Sequence, residues 1–364
     1  MKKFVELESI FIFLSTIIGL GVFVLPFTLK ESGLWFFFWL IFWLICFYFI
    51  HLIFAEILFQ TKEKHNLPGL AGIYLHPLAK HIVWIFDYFG MMGVFWIYIL
   101  ALENFWTTIF PNYGFLIKLF FVLFNFYFIS RNIKIFAKFE AVLGSLIIIF
   151  FILISIWLSF HFKFQNLDVI KNFKNFFLSY GVLLFAFSGT SAVPLVLDLL
   201  GNNKEKFKKI NFLSLILVSL IYLFYSLTTV GFLGKNVSEA SIDSLRPFLP
   251  SFIYLLILIL ITFNIMLVDL SFYLKRGLIY DYKIKPLFAN LILFFSIFSL
   301  IFLPQSSLVK IISLISEIFL GFNLLIINLI YLKLKEKTYF KIPPIFVILI
   351  SIIFLFGMIH GIFK

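Results

Sequence analysis

The chain is poor in charged residues and nearly lacks cysteine. Asp, Glu, Lys and Arg make up 13% of its 364 residues, compared with about 25% in an average soluble domain. The single cysteine, Cys46, lies in an apolar run, which excludes a disulfide framework and a thiolate metal site. No stretch is rich enough in Gly, Ser or Pro to separate two domains. We therefore interpret residues 1–364 as one domain that is not water-soluble.

Several functional patterns are also missing. The sequence has no cluster of metal-ligating residues and no nucleophile–base pair at compatible depth, so we predict neither a metal site nor an enzyme. The formal net charge of +12 is not arranged as a basic stripe among base-reading side chains, which excludes nucleic acid as a partner. There is no polar pore-facing stripe or repeated filter motif. A non-transporting channel or scaffold remains an alternative, but a weaker one.

Long apolar runs dominate the chain instead. Hydrophobic residues make up 63% of it, and the mean hydropathy is +1.12. A membrane-spanning helix needs about 20 apolar residues, and runs of this length recur between charged breaks, which predicts eleven spans in a lipid bilayer. The predicted spans are residues 7–29, 33–59, 82–105, 114–130, 136–160, 175–200, 210–233, 250–274, 286–304, 308–332 and 343–362.

The distribution of Lys and Arg predicts the orientation of these spans. With the N-terminus in the cytoplasm, each cytoplasmic loop carries three or four of these residues, as the positive-inside rule requires. Adding or removing one span would disrupt the alternation from that point onward. We therefore expect a multi-pass protein of the inner (cytoplasmic) membrane with a cytoplasmic N-terminus, and we expect a monomer.

The first and sixth predicted spans each contain residues that interrupt a helix. Residues 15–26 read STIIGLGVFVLP and residues 185–194 read FAFSGTSAVP; in each, a glycine, Gly21 or Gly189, lies five residues before a proline. Gly and Pro together favour local unwinding. Unwound backbone at membrane depth is tolerated only where it lines a cavity or is buried in protein. Close helix packing is the alternative explanation for either motif alone, but both together predict a transporter binding site.

The two interruptions also suggest an internal repeat. The first span leaves the cytoplasm and the sixth enters it, so residues 7–160 and 175–332 form two inverted five-helix units, and the helix at 343–362 is an addition. Half-helix N-termini suit a carboxylate, whereas free carbonyls and hydroxyls suit an ammonium group or Na⁺. An amino acid carries both groups; another small organic cation or zwitterion is the alternative. The predicted substrate-binding residues are Ser15, Thr16, Ile18, Gly19, Leu20 and Gly21 in the first break and Phe187, Ser188, Gly189, Thr190 and Ser191 in the second.

Three segments resemble a known family. Residues 18–33 (IGLGVFVLPFTLKESG), 66–75 (NLPGLAGIYL) and 193–204 (VPLVLDLLGNNK) are similar to the amino acid/auxin permease and hydroxy/aromatic amino acid permease branches of the amino acid–polyamine–organocation superfamily. The resemblance implies an all-α polytopic membrane protein with the leucine-transporter-type 5+5 inverted-repeat bundle plus one extra helix. It implies a symporter that carries amino acids by alternating access, with helices 3 and 8 completing the site. In helix 3, Gly90 and Gly93 would permit close approach.

The coupling ion, H⁺ or Na⁺, is the only cofactor that we expect. In related folds a sodium site joins the first break to hydroxyls of helix 8; here Thr262 is followed by Phe263 and then Asn264, so one hydroxyl is missing. Ionisable residues inside a bilayer are costly and are functional candidates by default. The deepest are Asp269 and Glu317, either of which would serve as a protonation switch; a helix-end or structurally paired acid is the alternative for each. We expect the other acids at the membrane interface; these are Glu56, Asp87, Glu103, Glu140 and Asp198.

Overall fold

A computed structural model of the chain describes residues 2–61, 65–130, 133–201, 203–266, 270–334, 336 and 339–363. The side chains of residues 2–4, 128–129, 133–143 and 263–266 lie outside that description. All regular structure within these ranges is helical. The α-helices are α1 (Lys2–Ile17), α2 (Gly21–Ser32), α3 (Leu34–Gln60), α4 (Leu67–Tyr74), α5 (Pro77–Thr107), α6 (Gly114–Ile129), α7 (Ile133–Ser159), α8 (Phe176–Ala186), α9 (Ala192–Leu199), α10 (Lys204–Leu233), α11 (Ser241–Leu245), α12 (Ser251–Met266), α13 (Leu270–Arg276), α14 (Pro286–Ser299), α15 (Leu308–Ile315), α16 (Gly321–Lys333) and α17 (Pro344–Phe363).

Five of the described helical segments are long and apolar enough to cross a membrane, and the number is seven when each sharply bent pair counts as one span. The five are 34–60, 77–107, 204–236, 308–333 and 344–363. The bent pairs are α1 with α2, at 59°, and residues 144–159 with 164–170, at 116°. Shorter apolar helices lie at 176–186, 251–262 and 286–302. Helices therefore cover the core of every predicted span, while the count of eleven stays a prediction.

Some helix boundaries differ from the predicted ones. The helix α5 begins at Pro77 rather than at residue 82, because proline suits the first turn of a helix and the His76 side chain accepts a hydrogen bond from the backbone N–H of Leu78. The helix α10 begins at Lys204 rather than at residue 210, because Asn203 caps it through the N–H of Lys206. Charged residues at these ends did not stop the helices, which extend past the apolar run.

Two short π-helical turns interrupt the remaining helices. One, Gly277–Asp281, continues α13, and the other, Ser316–Leu320, joins α15 to α16. The helix α2 packs on α8 and α10, and α1 packs on α7, α9 and α10. The helix α15 packs on α5 and α8. The helix α16 packs on α3, and α17 packs on α16 and on the second π-helical turn. This arrangement places the two interrupted helices side by side, next to α5 and α15.

Candidate substrate site at two helix breaks

The first predicted break is present between α1 and α2. The helix α1 ends at Ile17 and α2 begins at Gly21, with the 59° change in direction between them. A Cβ atom on Gly21 would lie 3.1 Å from the Cα of Ala186, the last residue of α8. Glycine at this position therefore allows the start of α2 to touch the backbone of the second interrupted helix.

The second predicted break lies between α8 and α9. The helix α8 ends at Ala186 and α9 begins at Ala192. A Cβ atom on Gly189 would lie 2.5 Å from Cγ1 of Ile17, so this glycine touches the end of α1. The two breaks are thus in direct contact with each other, which is the arrangement that a shared binding site requires.

A tyrosine from a third helix joins the two breaks. The hydroxyl of Tyr222, on α10, lies 2.9 Å from the carbonyl oxygen of Ile17 and 2.7 Å from that of Ala186. These carbonyls belong to the last residues of α1 and α8, where the regular helical bonding stops. The Tyr222 side chain is fully buried, so its hydroxyl is a buried donor that contacts both carbonyl ends.

The opposite ends of the breaks lack side-chain caps. Leu20 precedes α2 and Ser191 precedes α9, and neither side chain hydrogen-bonds to the first N–H groups of its helix. The N–H groups of Val22 and Phe23 instead donate to the carbonyls of Gly19 and Leu20, and those of Ala192 and Val193 donate to the carbonyls of Gly189 and Thr190. Helix N-termini carry partial positive charge, so the breaks present a positive potential to an anion. Two of the carbonyls that a cation would need are already in contact with Tyr222.

A cavity of about 130 Å³ lies against both breaks. Its polar lining comes from both breaks and from α5, the second π-helical turn and α16. The polar lining residues are Thr16, Tyr98, Ser188, Thr190, Ser191, Ser316 and Asn323, and the others include Gly19, Gly21, Gly90, Met91, Val94, Phe185, Leu270, Ile315, Phe319 and Leu320.

Six of the residues predicted to contact the substrate line this cavity: Thr16, Gly19, Gly21, Ser188, Thr190 and Ser191. The other five do not line it. Ile18 and Leu20 are buried, Gly189 contacts Ile17, and the Ser15 hydroxyl donates to the carbonyl of Ile12. The ring of Phe187 packs against Phe47 and Tyr222. The aromatic ring that lines the cavity at this break belongs to Phe185.

Sequence reasoning missed most of the lining that lies outside the breaks. Gly90 was singled out for close approach and does line the cavity, whereas Tyr98, Asn323 and the residues of the second π-helical turn were not recognised. An Asn in an apolar helix was the one available signal, because a polar side chain at membrane depth needs a partner. Tyr222 gave no signal, since tyrosine is common in this chain.

Of the four ion-coupling candidates, the side chains of Thr262 and Glu317 are described, and neither lines the cavity. The Thr262 hydroxyl accepts a hydrogen bond from Trp106 Nε1 at 2.8 Å. Glu317 is fully buried, accepts a hydrogen bond from Ser313, and lies 2.8 Å from Nδ1 of His360 on α17. Asp269 and the side chain of Asn264 lie outside the described residues. Across the described ranges, no three His, Cys, Asp or Glu side chains are grouped as a metal site.

The acids that were expected at the interface are in part buried. Asp87 is 1% exposed and Glu56 is 0% exposed. Glu56 accepts from the backbone N–H groups of Tyr339 and Phe340, and it thereby fixes the loop before α17. Glu103 forms an ion pair with Lys118 at 3.0 Å, and the side chain of Glu140 lies outside the described residues.

The fold is shared with a transporter of known structure. The chain is similar to Mhp1, a nucleobase-cation-symport-1 family transporter, solved in a closed conformation with bromovinylhydantoin bound. The match has a TM-score of 0.61 at 9% sequence identity and covers 98% of this chain and 90% of that one. No curated protein sequence matches the chain significantly. The similarity to Mhp1 establishes the fold, which is of the leucine-transporter type.

A family model matches most of the sequence. The model of the tryptophan/tyrosine permease family matches residues 2–245, a range that contains both breaks and Tyr222. The match confirms the resemblance to amino acid permeases that the glycine motifs suggested. The protein is accordingly a multi-pass membrane protein and a secondary transporter, not an enzyme. The chain belongs to the tryptophan/tyrosine permease family.

Proposed function

We propose that the protein is a proton-coupled symporter that carries an amino acid, of the tryptophan or tyrosine class, across the inner membrane by alternating access. The observation that carries the proposal is the contact of two interrupted helices at one cavity. The uncapped N-termini of α2 and α9 suit the substrate carboxylate. The hydroxyls of Thr16, Ser188 and Ser191 are acceptors for the ammonium group.

The apolar part of the cavity supports an aromatic side chain. Met91, Phe185 and Phe319 line it, and thioether and aromatic groups pack well against an aromatic ring. The family description names tryptophan and tyrosine, in agreement with this lining. A hydantoin-like cyclic amide, of the kind bound in Mhp1, is the comparison solute, because it has no ammonium–carboxylate pair.

Protons are favoured over sodium as the coupling ion. The hydroxyl of Thr262, which would be needed for a sodium site, is in contact with the Trp106 indole, and Phe263 follows it in the sequence. A buried carboxyl group, by contrast, is available on α5, at Asp87. We further propose a cytoplasmic N-terminus, two inverted repeats of five spans with α17 as the eleventh span, and transport by the monomer.

The test is uptake of labelled amino acids into proteoliposomes under separate proton and sodium gradients. We expect tryptophan or tyrosine to accumulate in a proton gradient and not in a sodium gradient, and we expect no competition by a hydantoin. Gly21→Leu and Gly189→Leu should abolish uptake. Gly72→Leu is the matched control, because Gly72 is not among the cavity-lining residues and the nearest atoms to a Cβ there belong to the Lys80 side chain, at 3.2 Å and beyond. Unchanged uptake in both site variants would overturn the site, and the absence of accumulation for every amino acid would overturn the function.

A further inference from the structure

Asp87 is a buried carboxyl group next to the cavity. It lies on α5 one turn before Gly90, which lines the cavity, and its side chain is 1% exposed. The Tyr273 hydroxyl donates to its Oδ2 at 2.8 Å, and Asn323 Nδ2 donates to its Oδ1 at 2.9 Å. Both donors are neutral groups, so Asp87 has hydrogen bonds but no counter-charge from either of them.

The charged groups packed around Asp87 do not neutralise it. Asp281, at the end of the first π-helical turn, acts on Asp87 as a like charge. Asp281 has its own partners, since it lies 3.1 Å from His65 Nδ1 and the Lys80 ammonium donates to its backbone carbonyl. The remaining acidic, basic and histidine side chains on α5, α6, α13, α15, the second π-helical turn and α16 are His81, Glu103, Lys118, Lys275, Arg276, Lys310, Glu317 and Lys333. None of these forms an ion pair with Asp87 in the described part of the chain.

A buried carboxylate without a counter-charge is costly, and that cost disappears when the group takes up a proton. Asp87 therefore has the surroundings of a group that exchanges protons. The geometry also links it to the substrate, because Asn323 donates to Asp87 and itself lines the cavity. Asn323 is 9% exposed. Its Oδ1 atom is buried and has no hydrogen-bond partner among the described groups.

We propose that Asp87 binds the coupling proton and that Asn323 relays its protonation state to the substrate, an inference that rests on the proposed function. The charged carboxylate holds the Asn323 amide by its Nδ2 group, which leaves the acceptor Oδ1 free. When a proton from solution forms an O–H bond on Asp87, that hydroxyl donates to Oδ1 after the amide turns over. The cavity then receives an N–H donor and loses a nearby negative charge.

Both changes favour a substrate carboxylate. Binding of the proton and binding of the amino acid therefore strengthen each other, and by linkage the effect is reciprocal. The proton leaves Asp87 when the substrate has left and the site is open to the opposite face. No step requires a second ion, and Glu317, which lies beside His360, takes no part in it.

The test compares two kinds of transport by purified protein in proteoliposomes. Counterflow exchanges labelled for unlabelled tryptophan without a gradient, whereas accumulation is driven by a pH gradient, and a pH-sensitive dye records proton movement. For Asp87→Asn we expect counterflow to persist while accumulation and substrate-driven proton movement are lost. Glu317→Gln is the matched control, a second buried acid made neutral, and should keep all three.

The outcomes separate this inference from the proposed function. If Asp87→Asn still accumulates tryptophan with proton movement, the inference is overturned and the proposed function stays intact. The same holds if only Glu317→Gln loses accumulation and proton movement. If Asp87→Asn loses counterflow as well, Asp87→Glu decides: restored accumulation supports the proton site, and its absence overturns it. A wild-type protein that accumulates no amino acid in the pH gradient would instead overturn the proposed function.

Discussion

The hydroxyl of Tyr222 lies 2.7 Å from the carbonyl oxygen of Ala186, the residue that ends the first half of the second interrupted helix. The same hydroxyl lies 2.9 Å from the carbonyl of Ile17 at the other break. One phenol from α10 thus contacts both helix ends at the centre of the molecule. A hydroxyl has a single proton, so its two carbonyl neighbours share one donor.

The variant Tyr222→Phe is expected to impair transport more than expression. A buried carbonyl left without a donor costs about 1–3 kcal/mol. In this variant the carbonyls that lose their donor are those of Ile17 and Ala186, at the helix ends beside the cavity. We expect a loss of tryptophan uptake of about tenfold or more, which corresponds to about 1.4 kcal/mol. Tyr225→Phe is the control, since Tyr225 is equally buried on the same helix but pairs with Ser241. Equal uptake by the two variants would contradict the role of Tyr222.

Two glycines of the first break are expected to respond differently to alanine. A Cβ on Gly21 would lie 3.1 Å from the backbone of Ala186, whereas a Cβ on Gly19 would meet only the Tyr98 hydroxyl, at 3.6 Å. Gly21→Ala should therefore lower the thermal stability and the uptake rate together. Gly19→Ala should keep wild-type stability and raise the KM for tryptophan, because the methyl group enters the cavity. Thermal unfolding in detergent and uptake kinetics measure both effects; a destabilised Gly19→Ala would contradict this reading.

The pair of Glu317 and His360 is expected to stabilise the docking of α17. Their side chains are 2.8 Å apart, and that of Glu317 is fully buried. His360→Leu removes one partner of a buried acid and should cost about 1–3 kcal/mol. Glu317→Gln in the same chain should recover part of the loss, because the uncompensated charge is then gone. A double-mutant cycle on thermal stability tests this coupling, and strictly additive effects would refute it.

Asp243, on the loop helix α11, is expected to make stability depend on pH. Burial raises the pKa of Asp243 from its ordinary value of 3.8 to about 6, although hydrogen bonding from Tyr254 and the charge of Arg246 act in the opposite direction. Between these two values the folded state holds a proton that the unfolded state has lost. Stability from this group therefore falls as the pH rises from about 4 to about 6, and it remains lower above that window.

The variant Asp243→Asn tests that pH dependence. Asn cannot be charged and keeps an acceptor for the Tyr254 hydroxyl, which donates to Asp243 Oδ1 at 3.0 Å. We expect the melting temperature of Asp243→Asn to exceed that of the wild type by about 3 °C at pH 8 and to match it at pH 4. Melting curves at the two pH values measure the difference. An equal difference at both would show that the charge of Asp243 is not its cause.

The breaks were predictable from sequence because their chemistry is local. Glycine and proline act on their own stretch of backbone, so residues 18–20 and 187–191 were found without any knowledge of neighbours. The contacts of Tyr222 were not predictable, because 205 residues separate it from Ile17. The burial of Asp87 was not predictable for the same reason, because its partners Tyr273 and Asn323 lie 186 and 236 residues away in the sequence.

The π-helical turn at Ser316–Leu320 has a consequence for the orientation of the α16 side chains. A π-helical turn accommodates one more residue than an α-helical turn, and one residue corresponds to about 100° of rotation. Without it, Asn323 would point about a quarter-turn away from the carboxyl group that it now contacts. Deletion of a single residue here would leave the composition of the span almost unchanged, yet it would re-aim every side chain beyond it. The number of residues in this segment thus determines how the side chains of α16 are rotated about the helix axis. The mean hydropathy of the span does not reveal that rotation.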